Sequence, residues 1–400
     1  MSTSLAIFRA PWCTEFPAGM TTWSVVKDDT REKRWRELLP RFFPRIALLA
    51  CITVVVISLG VALTPGSPKA SADQPFSEQA RAAALSETLR LRAAGEQLVT
   101  PAAGAAPTGS QAPIAQTVNL LTDQARALLG PGDEPAAEPL PASSPATPSA
   151  AAQPGPASAA ELAAALAASG SERLAEAAAA DGGIARLLAA VGAAQLLEAS
   201  SLAVATGSPA PAAADPASPA LSGACRTPAA TSLPAAAGTD GAADAEDASL
   251  EGALAAAVRT ELETIYGYQV ALTRLGGEQS SAAAKQLARH ESLISGAETL
   301  SRAHCVPVPP REAGYTLEQS FLASPASGLG RLEAAALPVY GDLVALSDGE
   351  TRQWAISGLV GAARRAELWG ADAGSLPGLA ADPASFPSLP TPSASPSTTR

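Results

Sequence analysis

Alanine constrains this chain more than any other residue. Hydrophobic residues make up 47% of the 400, much of that share is alanine, and aromatic residues are only 4%. Alanine is the strongest helix former and fits poorly in strands. No sustained alternation of Val, Ile, Thr and aromatic residues runs through the chain, so the class that follows is all-α. Alanine also buries little area, and its helices must approach closely for dispersion contacts to hold them.

The net charge of −11 is unevenly spread. Residues 1–45 hold eight Lys/Arg and five Asp/Glu, leaving 19 basic and 33 acidic residues for the rest. An acidic body excludes nucleic acid as a partner, since that rewards clusters of Lys and Arg. Ile46 to Leu63 is an 18-residue run without a charge, near the minimum for a helix that crosses a bilayer. Six cations between Arg31 and Arg45 precede it, against Glu32 and Glu37, and a single Lys69 follows closely. The positive-inside rule then places 1–45 in the cytoplasm and 65–400 outside. Three readings of 46–63 stand side by side: an uncleaved anchor, a signal peptide cut after Ala72 of Ala70-Ser71-Ala72, and a lipoprotein modified at Cys51 of Leu48-Leu49-Ala50-Cys51. The membrane is the one partner this segment names. Met20 is the only methionine after Met1, so 1–19 also reads as a start-site artefact.

Topology sorts the cysteines. Cys13 is expected inside and Cys51 within the apolar run. Cys225 and Cys305 fall outside, where thiols oxidise, and two such residues suggest one disulfide.

Along the chain, helices are expected over 75–99 and 113–130, the second with Ile114, Val118, Leu121, Ala125 and Leu128 in helical spacing. A Pro/Ala/Ser linker occupies 133–158. Helical pattern resumes over 159–204, interrupted at Ser169-Gly170 and at Asp181-Gly182-Gly183. Together 75–206 reads as a small alanine-rich helical region. Residues 207–247 read as a disordered linker and 372–400 as a disordered tail.

Residues 248–371 are the best patterned. Four helices are expected: about 248–276, about 280–304, a third after Ser324-Pro325, and a fourth after a capping box at Ser347-Asp348-Gly349-Glu350. The long connection is the middle one, as in ferritin-like bundles. On the first helix Leu254, Val258, Ile265 and Leu272 form a stripe that takes in Glu261 and Tyr268, with Glu263 and Arg259 opposite. The second carries Leu287, His290, Leu293, Ile294, Ala297, Leu300 and His304 on one side. The third carries Leu329, Leu332, Ala336, Val339, Leu343 and Leu346, with Tyr340 and Asp342 at its edges and a kink expected at Pro338. The fourth carries Ile356, Leu359, Val360 and Ala363, with Glu367 alongside and Arg364 at its edge. A structural polar core of Glu261, Tyr268, His290, Asp342 and Arg364 follows from these faces.

Glu261, His290 and Glu367 are weak candidates for metal ligands. A di-iron carboxylate bundle needs Glu-x-x-His on two helices, and neither histidine has Glu three residues before it. His290-Glu291 begins like H-E-x-x-H, but Ile294 stands where the second histidine belongs. There is no G-x-S-x-G, no P-loop and no G-x-G-x-x-G. No catalytic residue and no cofactor is therefore expected.

The stretch ELETIYGYQVALTRL, the histidine of ARHESL, the segment YGDLVAL and RRAELWG resemble the DUF4439 family, a ferritin-like domain of unknown function in actinobacterial envelope and lipoprotein-like sequences. The resemblance covers about Leu250 to Leu379. It implies a four-helix bundle and points to Glu261, Tyr266, Tyr268, His290, Tyr340, Asp342, Arg364 and Trp369. The expected function is a non-enzymatic, membrane-tethered, extracytoplasmic module with a binding or structural role, either single-pass or secreted after cleavage near Ala72. Two alternatives are a metal-binding ferritin-like oxidase or carrier and a lipoprotein scaffold for an envelope protein partner.

Overall fold

The computed structural model describes residues 74–100, 111–129, 155–211, 216, 218–222, 225, 249–379 and 381–389. The cytoplasmic segment, the apolar run 46–63, Cys13, Cys51 and most of the linkers lie outside the described residues. Residues 74–400 form one compact unit. Every extended element among its described residues is helical: α1 Phe76–Val99, α2 Gln111–Leu128, α3 Ala159–Ala179, α4 Gly182–Ala205, α5 Leu250–Leu272, α6 Gly277–Ala303, α7 Gln319–Ala323, α8 Pro325–Leu346 and α9 Gly349–Leu368.

Local chemistry sets several of these boundaries. Ser158 accepts from the Glu161 backbone N–H at the start of α3, and Glu161 accepts in return from the Ala157 N–H. Ser249 caps α5 in the same way through Gly252. The expected box at Ser347 does not form. Asp348 takes the N-cap position of α9 without a side-chain bond, and the Ser347 hydroxyl turns back onto the Leu343 carbonyl. The break expected at Ser169-Gly170 is also absent, because α3 runs through it. Gly170 is there for packing. A Cβ on it would stand 2.8 Å from the Gly192 carbonyl oxygen of α4, so the glycine lets two helix backbones touch. Pro338 sits inside α8, which continues across it.

The helices pair as α1 with α2, α3 with α4 and α1 with α3, and again as α5 with α6, α8 with α9 and α5 with α8. These are two four-helix arrangements with a long connection after the second helix of each. They share one wall. Helix α4 touches α1, α2 and α3 on one side and α8 and α9 on the other. Its surface is accordingly buried almost all round, from Ala185 and Leu188 to Leu202 and Ala203. Among the described residues it is also the one helix long and apolar enough to cross a membrane, yet 72% of its most apolar window is buried inside the unit. Its apolarity serves the core. Side-chain bonds tie the halves as well: Arg352 of α9 donates to the Ala180 carbonyl, and Arg186 of α4 donates to the Gly378 carbonyl at 2.7 Å.

The segment after α9, expected as an unstructured tail, folds back over this junction. Gln124 of α2 donates to the Ser375 carbonyl, and Arg126 to those of Phe386 and Pro387. Backbone acceptors satisfied in this way, with Ala373 and Leu376 buried in the core and Leu379 and Phe386 packed against it, hold this stretch in place. Residues 390–400 lie outside the described residues.

The close α3–α4 approach predicts a contrast between two glycines. Gly170→Ala should cost roughly 1–3 kcal/mol, because a backbone oxygen must move. Gly183→Ala meets nothing within 4 Å and should be neutral or stabilising by up to about 1 kcal/mol. Urea unfolding of both variants checks the pair.

Candidate functional site

Helices α5, α6, α8 and α9 each send one charged side chain into their shared interior. Glu261, His290, Glu333 and Arg365 are 1%, 1%, 0% and 5% exposed. His290 is the hinge of the set. Its Nδ1 lies 2.8 Å from Glu261 Oε2 and its Nε2 lies 2.8 Å from Glu333 Oε1. The second oxygen of Glu333 accepts from Arg365 Nε at 2.8 Å. The second oxygen of Glu261 accepts from the Tyr340 hydroxyl at 2.6 Å. Tyr268 donates to Glu333 at 2.7 Å, and Trp369 Nε1 donates to Tyr268 at 2.7 Å. Small residues make room for the large ones. A Cβ on Gly358 would stand 2.1 Å from the Tyr340 ring, and one on Gly361 would stand 3.0 Å from Arg365 Nη1.

The protonation states follow from this geometry. Burial alone would lower the His290 pKa, but bonds to Glu261 and Glu333 overcome it and hold the imidazole above its ordinary value. Both ring nitrogens can then donate. Burial pushes Glu333 up, while the bond to His290 and the charge of Arg365 outweigh it and bring the carboxyl below its usual range. Burial and the neighbouring carboxylates drive the Tyr268 and Tyr340 hydroxyls far up, so both remain donors. Two carboxylates face two cations, and the set is electrically balanced.

The donor set does not fit a metal ion. His290 commits both nitrogens to carboxylates, and each carboxylate oxygen already accepts a hydrogen bond. The Arg365 guanidinium stands where a cation would be repelled. Glu367, one of the three ligand candidates, is exposed on α9, away from this set. Partial burial, with Glu198 and Asp372 nearby, raises its carboxyl to about 7.

Glu261, Tyr268 and His290 therefore meet in the interior. Tyr340, expected at an edge, points inward with them. Asp342 does not: its side chain is 49% exposed and pairs with Arg186 of α4. Arg364 is also displaced from the core, only half-buried, and its neighbour Arg365 takes the inner position. Tyr266 packs on Tyr315 of the α6–α8 connection. Glu333 and Arg365 were missed by sequence reasoning. For Glu333 a signal existed, since it lies four residues from both Leu329 and Leu337 and seven from Tyr340, all inward-facing. For Arg365 none did, because α9 is buried on more than one face.

The first half of the unit supplies an internal comparison. The buried positions of α1, α3 and α4 lie in the same register as those of α5, α8 and α9. In that register Thr88, Leu166 and Leu196 stand where Glu261, Glu333 and Arg365 stand. Helix α2 has no histidine. The arrangement of helices does not itself require the charges.

That comparison yields a prediction. Glu333→Gln leaves two buried cations facing one carboxylate and should cost about 3–5 kcal/mol. Glu261→Thr, His290→Leu, Glu333→Leu, Arg365→Leu and Tyr340→Phe together should fold, within about 1–4 kcal/mol of the parent or above it. Chemical denaturation followed by circular dichroism distinguishes the two.

A second prediction concerns pH. The raised His290 pKa contributes stability that is full below about pH 6.5 and is lost as pH rises through the folded value. The lowered Glu333 pKa contributes stability present above about pH 4.3 and lost as pH falls through its folded value. Melting temperature should peak between these limits, and His290→Asn should flatten the alkaline descent. The difference between parent and variant curves is the readout, because Glu367 and Glu198 titrate in both.

Residues 253–381 match the family described as a domain of unknown function, DUF4439. Curated proteins show no match to the chain, and solved structures show none. The matched segment holds Glu261, His290, Glu333 and Arg365, and this part of the chain is similar to the DUF4439 family.

Proposed function

We propose that this chain is a membrane-tethered, extracytoplasmic binding module of the cell envelope, and not an enzyme. One observation carries the reading. Cys225 and Cys305 are joined in a disulfide with a Cα–Cα distance of 5.2 Å, which fits a body exposed to an oxidising compartment. Its Cys225 end lies close in sequence to Ser218 and Leu221, where the Ser218 and Ser357 hydroxyls lie 2.9 Å apart and Leu221 packs on the core. The charge run before Ile46 supplies the direction of insertion.

The polar interior supports binding over catalysis. A reacting group must be free to meet substrate, whereas His290 and both carboxylates are sealed and mutually satisfied.

The test joins topology to composition. An alkaline phosphatase fusion after residue 72 should be active, and mass spectrometry without reduction should show a Cys225–Cys305 crosslink. A cytoplasmic fusion or two free thiols would overturn the location. Stoichiometric iron, manganese or zinc in the purified full chain would overturn the non-enzymatic half.

A further inference from the structure

The two four-helix arrangements repeat one another position by position. In α2 and α6 the buried residues coincide as they do in the other three pairs: Ile114 stands where Ala283 stands, Leu121 where His290 stands, and Leu128 where Ala297 stands. Contacts between the halves repeat as well. Helix α4 packs on α8, and α3 packs on α9. In the shared register α3 answers to α8 and α4 to α9, so these two are one contact seen from each side. Helix α4 also packs on its own counterpart, α9. Glu198 and Glu367 hold the same place on those helices. Partial burial raises the Glu367 carboxyl, and the charge of Glu198 is close enough to add to it. A surface that meets its own equivalent marks a two-fold axis.

A second observation lies outside the helices. After α4 the chain reads Asp215-Pro216-Ala217-Ser218-Pro219, and after α9 it reads Asp382-Pro383-Ala384-Ser385-Phe386. The described residues of each arm lie on the other half. In the first arm the Ser218 hydroxyl meets that of Ser357 on α9, and Ser218, Pro219 and Leu221 border Leu293 and Ser295 on α6. In the second, Arg126 of α2 donates to the Phe386 and Pro387 carbonyls. Gln124 of α2 donates to the Ser375 carbonyl just before it. Gln124 and Arg126 stand in the register where Leu293 and Ser295 stand. The two arms therefore occupy equivalent faces, each on the half it does not belong to. They differ in one respect. A disulfide joins Cys225, just past the first arm, to Cys305 beside the end of α6, whereas residues 372–389 contain no cysteine.

We infer that α1–α4 and α5–α9 are two repeats of one folding unit, paired about a local two-fold axis, and that each unit carries a docking site for the extended Asp-Pro-Ala-Ser arm of the other. The site on α2 takes residues 381–389. Arg126 holds two successive backbone carbonyls of the arm with a charged donor, and Phe386 packs against the core. The first arm is pinned covalently and the second is not, so the second is the releasable one. Its departure bares α2 without opening the core beneath. Ala373 and Leu376 are buried, and Arg186 holds the Gly378 carbonyl, so the chain stays in place up to that point. The face of α8 and α9 that meets a second unit is already covered by α3 and α4, and the chain thus carries its own partner. This reading goes beyond the binding role above and does not draw on it.

Amide hydrogen exchange of the full chain in neutral detergent, read by mass spectrometry, tests the crossed arms. A chain that ends at Ala380 should exchange about tenfold or more faster in α2, with α6 unchanged. Arg126→Gln in the full chain should do the same. Cys225→Ser with Cys305→Ser should give the reverse pattern, faster in α6 and unchanged in α2. A peptide of residues 381–389, added at about the millimolar concentration that a tethered arm experiences, should restore α2 in the shortened chain, and a scrambled peptide should not. Shortening that loosens α9 in place of α2, or a peptide no better than its scrambled form, overturns the arm site. The axis has its own test. At about pH 8, Glu198→Gln and Glu367→Gln should shift the melting temperature non-additively, because either one alone relieves the repulsion between the pair. Additive shifts overturn the paired repeat. None of these outcomes bears on the location, which the fusion and the crosslink decide.

Discussion

Charge balance in a dry interior governs the C-terminal half of this protein. A carboxylate taken out of water is costly unless a cation and hydrogen bonds replace the lost hydration. Glu261 and Glu333 are both fully enclosed, and His290 and Arg365 are the groups that make their burial tolerable. Each of the four comes from a different helix. The set therefore fixes the relative height and rotation of α5, α6, α8 and α9 together, because a shift of any one leaves a charge unmatched. Tyr268, Tyr340 and Trp369 complete the bonding and supply the bulk that alanine cannot.

The first half has no four-way charge set at the matching places, although Arg173 is buried there beside Glu176 and Gln124 is bonded to Gln195. Thr88, Leu166 and Leu196 fill the matching places, and Gly170 against Gly192 brings two backbones together. Helix α4 then serves both halves, which explains why so apolar a helix belongs to the body. A single core cluster runs from Ala80 through α4 to Leu376. The two helical regions are chemically unlike and mechanically joined.

On the α6–α9 side the structure is less tightly closed. Pro216, Ser218, Pro219, Leu221 and Ser222 lie along this side, and the disulfide joins Cys225 to the end of α6. A cavity of about 690 Å³ opens beside them.

The helical class, the positions of most helices, the inward direction of Glu261, Tyr268 and His290, and the family resemblance were all legible along the chain. These are local properties: alanine propensity and a stripe recurring every three to four residues are carried by neighbours along the chain. The tertiary structure alone decided that Arg365 and not Arg364 is internal, that Asp342 turns to Arg186, that Gly170 is a contact and not a break, and that the tail returns to α2. A helix packed on several sides has no single inner face, and periodicity cannot say which of two adjacent arginines meets a carboxylate on another helix. Glu333 stands between the two cases. Its spacing marks it as inward, but only the arrival of His290 and Arg365 from other helices makes a buried glutamate stable there.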